Sequence, residues 1–171
     1  MQPFAEPIRG TRYAGLAGAD AATPQAALEQ FYAAFNGRDL GLMARNWAQT
    51  DDIALDNPLG GIRRGWGDIR ALYERVFSGP AVVYVEFHDY TLHAGSGLFY
   101  AVGRERGHFR CDGREIALAF RTSRVFRDAG HGWKQVHHHG SIEDPALLAR
   151  YQAAVLGLRS GAVNGGRKDE G

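Results

Sequence analysis

Three consecutive histidines, in the stretch WKQVHHHGSI at residues 133–142, are the first candidates for chemistry in this sequence. The charge of an imidazole changes near neutral pH, so a histidine can act as a general base, a general acid or a metal ligand. The stretch has the composition of a β-strand, in which successive side chains point to opposite faces. His137, His138 and His139 therefore cannot all bind one ion, and we expect no metal site.

A second candidate is Asp56, which stands with Asn57 immediately before Pro58. A carboxylate that is removed from water can act as a general base. The alternative is structural, because Asp or Asn before Pro commonly initiates a turn. Both interpretations stay open at this point.

Four amphipathic segments with helical spacing must help to position these groups. Their apolar residues recur at three- and four-residue intervals, and Thr23 and Asp144 can cap the first and the last of them, each followed by Pro. Gly residues follow the first and third segments and end them. We predict helices at residues 24–36 and 66–77, and a short helix between them with Leu40, Met43 and Trp47 on one face. A final helix begins at Pro145 and has Leu148, Tyr151 and Val155 on one face.

The period changes to two after residue 80. Four segments rich in β-branched and aromatic residues occupy residues 81–94, 98–110, 114–127 and 133–142, and short turns with Gly or Asp-Gly separate them. Such turns favour antiparallel hairpins and exclude helical crossovers. Helices packed on one face of a meandering antiparallel sheet make an α+β fold.

The two faces of the strand at residues 114–127 are unequal. Arg124 shares its face with large apolar residues, which mark the side that the helices cover, whereas Ala117, Ala119 and Ser123 lie on the other side. A face of small and mixed residues suits packing against a second sheet. We therefore predict a homodimer through the outer face of the sheet.

Arg124 predicts the charge of a ligand. On the preceding strand, alternation places Tyr100 and Arg104 together on a face that is apolar at one end and cationic at the other. A buried arginine keeps its proton, so it needs an anion. Glu105 has the opposite parity to Arg104, which leaves Asp56 as the main internal partner. We therefore expect an acidic ligand, a carboxylate, at Arg124.

Composition excludes several classes of protein. The charges nearly balance, with 20 Lys and Arg against 19 Asp and Glu, and no basic block occurs, so a nucleic-acid partner is not expected. The single cysteine, the lack of a signal peptide and the lack of a long apolar run indicate a cytoplasmic protein without membrane contact. We divide the chain into an N-terminal arm (1–22), one domain (23–156) and a flexible tail (157–171).

The domain resembles the nuclear transport factor 2-like superfamily, which includes the SnoaL-like and ketosteroid-isomerase-like cone folds. The resemblance is carried by ALEQFYAAFNGRDL, NPLGGIRRGWGDIRALY and RTSRVFRDAGHGWKQVHHHGS. It implies a curved antiparallel sheet that wraps around the N-terminal helices and forms a cone with a pocket. The last segment is also similar to the end of the calcium/calmodulin-dependent protein kinase association domain, whose pocket cations Arg124 and Arg104 would match; Gly140 replaces a further arginine of that family.

The resemblance also implies which side chains reach the pocket. Because it places Gly140 towards the pocket, His138 faces the same way, and a β-bulge would bring in His139 instead. Asp56 would lie at the mouth. We also expect Tyr100, Arg104 and Arg124 to line the pocket from the sheet. Helical aromatics would line the cone, or else form plain core: Tyr32, Trp47, Trp66 and Tyr73. For a histidine of this strand, His137 above all, the structural alternative is a hydrogen bond to a neighbouring strand or across a dimer interface.

Two functions are compatible with these expectations, and a third is weaker. The favoured one is a pocket protein that binds a small organic acid or a polyketide-like compound. The alternative is an isomerase, cyclase or dehydratase with Asp56 or His138 as the base and Arg124 or Tyr73 beside a developing oxyanion. The weaker one is an oligomeric assembly domain. Nothing in the sequence implies a cofactor.

Overall fold

The computed structural model describes residues 3–15 and 21–157 of the chain. Its helices are α1 (Pro24–Asn36), α2 (Leu40–Asn46), α3 (Gly65–Ser78) and α4 (Pro145–Leu156), preceded by a 3₁₀-helix at Thr11–Gly15. The strands are β1 (Ala54–Asp56), β2 (Arg63–Arg64), β3 (Val82–Gly95), β4 (Leu98–Cys111), β5 (Arg114–Asp128) and β6 (Trp133–Ser141). The predicted helices and long strands are confirmed, with shifts of a residue or two at their ends.

The helix ends follow the caps that the sequence predicts. Thr23 accepts a hydrogen bond from the Ala26 amide, and Asp144 accepts from the amides of Ala146 and Leu147. In both helices Pro occupies the first turn, where no amide hydrogen is needed. These caps fix where α1 enters the core and where α4 leaves the end of β6.

The six strands form one sheet in the order β2-β1-β6-β5-β4-β3. Neighbours are antiparallel except for β1, which runs parallel to β6 and pairs Asp56 with His139. The sheet is curved and does not close, and helices α1 to α3 pack against its concave side. The α+β fold with a curved sheet around N-terminal helices is therefore confirmed.

Two glycines on the concave side of β4 allow β3 to approach closely. A Cβ atom on Gly103 would lie 2.6 Å from the Cβ of Tyr90, and one on Gly107 would lie 1.9 Å from the carbonyl oxygen of Tyr84. Glu105 lies between them, so its side chain projects into the interior without a neighbour at i−2 or i+2 on the same strand face.

The N-terminal segment packs on the rest of the fold. The amides of Phe4 and Ile8 donate to the carbonyls of Tyr90 and Phe87, at 2.8 and 2.9 Å, so residues 4–8 run beside β3. Ile8 is 4% exposed. The division into arm, domain and tail stays a prediction, and the tail beyond residue 157 lies outside the described residues.

Candidate functional site

The cone interior contains a small cavity of about 40 Å³. Aromatic and aliphatic side chains form most of its wall, and one carboxylate, one guanidinium and one imidazole reach it: Glu105, Arg124 and His138. The other lining residues are Phe31, Phe35, Asn57, Pro58, Tyr73, Val83, Val85, Phe120, Gly140 and Tyr151. This is the site at which we consider chemistry.

Arg124 is fully buried at the base of this cavity. Its Nη2 donates to Oε1 of Glu105 at 2.5 Å, its Nη1 donates to Gln135 at 3.0 Å, and its Nε donates to the Tyr32 hydroxyl at 3.3 Å. The guanidinium also lies 3.5 Å above the centre of the Phe31 ring. Its charge and all three kinds of donor nitrogen are therefore satisfied within the protein.

We expect from the sequence that Asp56 is the main internal partner of Arg124 and that Arg124 therefore needs an anion from outside. The first of these expectations is wrong, because Glu105 is the internal partner. Glu105, which alternation places opposite Arg104, is on the concave side together with Arg124, and its side chain is 8% exposed. Burying an ion pair of this kind requires further hydrogen bonds to the carboxylate. The Tyr32 hydroxyl provides one to Oε1 at 2.7 Å.

The second oxygen of Glu105 has a different environment. Both Tyr32 and Arg124 donate to Oε1, and Oε2 accepts no hydrogen bond from any described residue. Since Glu105 lines the cavity, Oε2 is the acceptor that this site can offer to a bound molecule.

His138 also faces the cavity. Its Nε2 lies 3.1 Å from the Thr122 hydroxyl on β5, and its Nδ1 is buried without a partner. Burial, followed by the positive charge of Arg124, holds the pKa of His138 well below the ordinary histidine value. The ring is therefore neutral at physiological pH. Because the Thr122 hydroxyl donates to the carbonyl of His139, Nε2 donates to that hydroxyl and Nδ1 is left as an acceptor.

A bulge in β6 determines which residues share the interior with His138. Val125 pairs with His137 and Phe126 pairs with Gln135, so Val136 is the extra residue. The bulge precedes the histidines, so it leaves His138 inside and brings in Gln135, which regular alternation places outside.

The other residues predicted near the mouth of the cone, Asp56 and His139, lie with His137 on the convex side of the sheet. His139 is exposed and its Nδ1 lies 2.8 Å from Oδ2 of Asp56, while His137 Nε2 lies 3.7 Å from Oδ1. Asp56 and His139 are thus brought together, but outside the cavity. Among the described residues, no group of three His, Cys, Asp or Glu side chains could hold a metal ion.

Tyr100 and Arg104 are not in the cone, contrary to our prediction. Tyr100 is 40% exposed and the Arg104 side chain 48% exposed, both on the convex face of β4. Arg104 lies 3.4 Å from Glu143. The face of β4 that contains Tyr100 and Arg104 has apolar residues at one end, so in sequence it resembles a face that packs on the core. Its residues are opposite those of the convex face of β5, and it therefore points outwards.

The aromatic residues of the helices are distributed around the cavity at different depths. Tyr73 lines it, Tyr32 lies below it in contact with Glu105, and Trp47 is buried beside Tyr73 with ring centres 6.5 Å apart. Trp66 is partly buried against the core. Burial raises the pKa of the Tyr32 and Tyr73 hydroxyls, which are therefore hydrogen-bond donors and not phenolates.

Comparison with known proteins identifies the family. The sequence model of the SnoaL-like domain matches residues 25–145. The chain belongs to the SnoaL-like family. A sequence comparison with curated proteins gives no match. Among the described residues, no helix is both long and apolar enough to span a membrane.

Solved structures share the fold of this SnoaL-like chain. A protein from Thiobacillus denitrificans, described as a calcium/calmodulin-dependent protein kinase type II association domain, is 25% identical with a TM-score of 0.60, over 73% of this chain and 98% of that one. The CaMKII hub of S. rosetta is 18% identical with a TM-score of 0.60, over 70% and 97%. A Streptomyces avermitilis protein described as a dehydratase of the NTF2-like family is 17% identical with a TM-score of 0.58, over 67% and 90%. The resemblance to the nuclear transport factor 2-like superfamily is confirmed.

Helix α4 covers the cavity of this SnoaL-like domain. Tyr151 is 5% exposed and packs edge-on against Phe109 and Phe120. Gln152 donates to the carbonyl of Pro58, which ties α4 to the loop at the mouth. The cavity is small because these contacts close the wide end of the cone.

Sequence reasoning missed two residues of this site, Glu105 and Tyr151. The signal for Glu105 was present: the Asp112-Gly113 turn sets the register of β4 and β5, so that Glu105 is opposite Phe120. Directly opposed residues share a face, and the sequence places Phe120 with Arg124. Tyr151 lies on the apolar face of α4, but no local pattern predicts the position of that helix over the cone.

Proposed function

We propose that the cone of this SnoaL-like domain binds a small, largely apolar molecule that donates a hydrogen bond to Glu105. The observation that carries the proposal is the carboxylate of Glu105, which lines an aromatic cavity with a side chain only 8% exposed. Its Oε1 already accepts two hydrogen bonds, and its Oε2 accepts none from the described residues. A concave apolar wall with one or two fixed polar groups is the usual composition of a small-molecule site. His138 supports the proposal with a second polar atom, Nδ1.

The charge of the site favours a neutral ligand. Arg124 and Glu105 compensate each other, and His138 is uncharged, so the cavity wall has no net charge. An acid would place its carboxylate near Glu105 and would have to compete with it for Arg124. A molecule with a hydroxyl group or an enolisable carbonyl fits better, and the small organic acid expected from the sequence becomes the competing outcome of the test.

Binding requires the site to open. Sites for small organic ligands usually have volumes of about 300–1,000 Å³, whereas this cavity has about 40 Å³. The side chain that must move is Tyr151, whose ring closes the wide end between α4 and the sheet. Substituting Tyr151 should therefore change the affinity for a ligand more than substituting any other residue that lines the cavity.

The test is a matched set of ligands followed by amide chemical-shift changes in ¹⁵N-labelled protein. Cyclohexanol, cyclohexanone and cyclohexanecarboxylate share one ring and differ in charge and donor. With cyclohexanol we expect shifts of the Phe120, Glu105 and His138 amides. Tyr151→Ala should bind cyclohexanol more strongly than wild type does. Glu105→Asp should bind it more weakly, because the shorter side chain keeps the charge but moves the carboxylate oxygen away from the cavity. Glu115→Gln, a surface carboxylate on β5, is the control. Binding by the carboxylate alone would reject the neutral ligand, and no shifts with any of the three in Tyr151→Ala would reject the cone as a site.

A second candidate function is proton transfer by Glu105. The specific observation is again the inward carboxylate with one free oxygen, the feature a general base needs. Structural neighbours described as a dehydratase and as a ketosteroid isomerase have the same fold. The test is isomerisation of 3-cyclohexenone to the conjugated ketone, followed by its absorption. A rate that falls in Glu105→Asp but not in Glu115→Gln supports the activity, and equal rates in both variants reject it.

We also propose that two copies associate through the convex face of the sheet. Three apolar residues of β4 are exposed there, Leu98, Tyr100 and Val102, at 44%, 40% and 46%. Ser123 on β5 lies directly opposite Val102, and its small side chain would let a second sheet approach there. Val102→Glu should convert a dimer into a monomer in light scattering at micromolar concentration. A monomeric wild-type protein would reject the proposal.

A further inference from the structure

A larger crevice lies outside the cone, between the N-terminal segment and helix α1. Its volume is about 550 Å³, and most of its wall is apolar. The described lining residues are Phe4, Ala5, Glu6, Pro7, Ile8, Arg12, Tyr13, Gln25, Ala26, Glu29 and Tyr90. The rings of Phe4 and Tyr90 are stacked at 4.9 Å on one side of it. Its size and composition are those of a small-molecule site.

The polar group at the base of the crevice is Glu29. This residue of α1 is 8% exposed, and its Oε2 is buried without a hydrogen-bond partner. The backbone amides of Gly10 and Arg12 hydrogen-bond with the carboxylate, while burial raises its pKa. A carboxylate has about four acceptor positions, so these two amides leave Glu29 incompletely satisfied in a place where water is largely excluded.

The backbone of Gly10 brings those amides to Glu29. Its φ is +82°, and a Cβ atom there would lie 2.2 Å from the backbone nitrogen of Ala33. Glycine therefore allows the N-terminal segment to contact α1 backbone to backbone. The contact determines both the depth of the crevice and the burial of Glu29.

Arg12 and Arg9 both attract Glu29, but each is paired with another carboxylate, Arg9 with Glu86 at 3.0 Å. Arg12, the cation that lines the crevice, is paired with Glu6, and both side chains are mostly exposed, at 70% and 76%. The lining thus contains two carboxylates and one guanidinium. The carboxylate of Glu29 lies at the buried end of a crevice that Phe4 and Tyr90 also line, and it attracts a cation there.

We propose that this crevice binds an organic ammonium compound, with the N–H groups on the carboxylate of Glu29 and the apolar body against Phe4, Ile8 and Tyr90. The site is independent of the cone and does not rest on the function proposed for it. Ammonium supplies what the buried oxygen lacks, a charged donor, and the apolar body replaces water along the wall.

The test compares 2-phenylethylamine with 2-phenylethanol and 3-phenylpropionate, by isothermal titration and by the amide spectrum of the full chain. We expect the amine to bind with shifts at Phe4, Glu29 and Tyr90 and the other two to bind at least about 10-fold more weakly, because only the amine makes a charge-assisted bond. Glu29→Gln, which keeps the shape of the side chain, should weaken the amine by roughly 10- to 100-fold. Glu74→Gln on the exposed side of α3 is the matched control and should bind as wild type does.

Ala26→Phe provides a second variant that fills the crevice and leaves Glu29 unsubstituted, and it should abolish the shifts even if Glu29→Gln does not fold. Equal binding of the amine and the alcohol would overturn the role of Glu29. Wild-type affinity in Glu29→Gln would do the same, as would the absence of shifts in natively folded wild-type protein. Shifts confined to Glu105 and His138 would place the amine in the cone and overturn this site.

Discussion

Replacing Glu105 with Gln should remove a large part of the stability of this domain. The change keeps the size of the side chain but leaves Arg124, whose side chain is 0% exposed, without a counter-ion. Removing one partner of a buried ion pair costs about 3–5 kcal/mol, against a total stability of about 5–15 kcal/mol for a typical domain. Arg124→Met should cost a similar amount, because it strands the carboxylate.

The double variant distinguishes a coupled pair from two independent residues. In Glu105→Gln with Arg124→Met neither charge remains, so we expect a loss at least about 2 kcal/mol smaller than the sum of the single losses. Gln135 and Tyr32 lose a partner in the double variant, which keeps it below wild type. Urea denaturation followed by tryptophan fluorescence gives each value from the midpoint at constant slope.

The same comparison of two single variants with the double variant, made at an ion pair on the surface, is the control. Arg110 and Glu115 form an ion pair with side chains 64% and 53% exposed. An exposed pair of this kind should contribute about 0–1 kcal/mol to the free energy of unfolding. A loss below about 1 kcal/mol in Glu105→Gln, or strict additivity in the double variant, would contradict the reasoning. Arg124 would then need a different counter-ion, and an acidic ligand in the cone would again be the better proposal.

Three further outcomes follow from the structure. The pKa of His138 is lowered in the folded state, so the unfolded state binds more protons below about pH 6.5, and stability should fall as the pH drops through that value. Urea midpoints from pH 5 to 8 should show this fall in wild type and in the outer-face variant His93→Asn, but not in His138→Asn. Gly107→Ala should cost about 3 kcal/mol or more through its clash with β3, whereas Gly67→Ala, with free space on helix α3, should add about 0.5–1 kcal/mol. Tyr151→Ala should cost about 3–5 kcal/mol in the same assay, because its ring packs against two phenylalanine rings; a change below about 1 kcal/mol would mean that α4 does not close the cone.

The elements of this fold were predictable because their signals are local. Caps such as Thr23 and Asp144, the helical spacing of apolar residues and the Asp-Gly turn each act within a few residues. The face of β4 was harder, because both of its faces contain apolar and charged residues. Alternation divides the strand into two sets of residues but does not say which set is inside, and for that reason the prediction that Arg104 lies in the cone is wrong.

Other features depend on tertiary contacts that no local pattern encodes. The bulge at Val136 shifts Gln135 to the interior, and it has no glycine or other turn residue to mark it. The contact of Gly10 with α1 joins segments more than twenty residues apart. For Glu105 the information existed, since counting back along the hairpin from Asp112 and Gly113 places it opposite Phe120.

Glu105 uses one oxygen for the fold and offers the other to a ligand, and the double variant can separate the two roles. A ligand that donates to Oε2 stabilises the folded protein by mass action, by about 2.7 kcal/mol at 100 times its Kd. If the double variant folds as expected, it retains the aromatic wall and loses only the charged pair. Cyclohexanol should then raise the urea midpoint of wild type and leave that of the double variant unchanged. An equal rise in both proteins would show that the aromatic wall alone holds the ligand and that Glu105 serves only to balance the charge of Arg124.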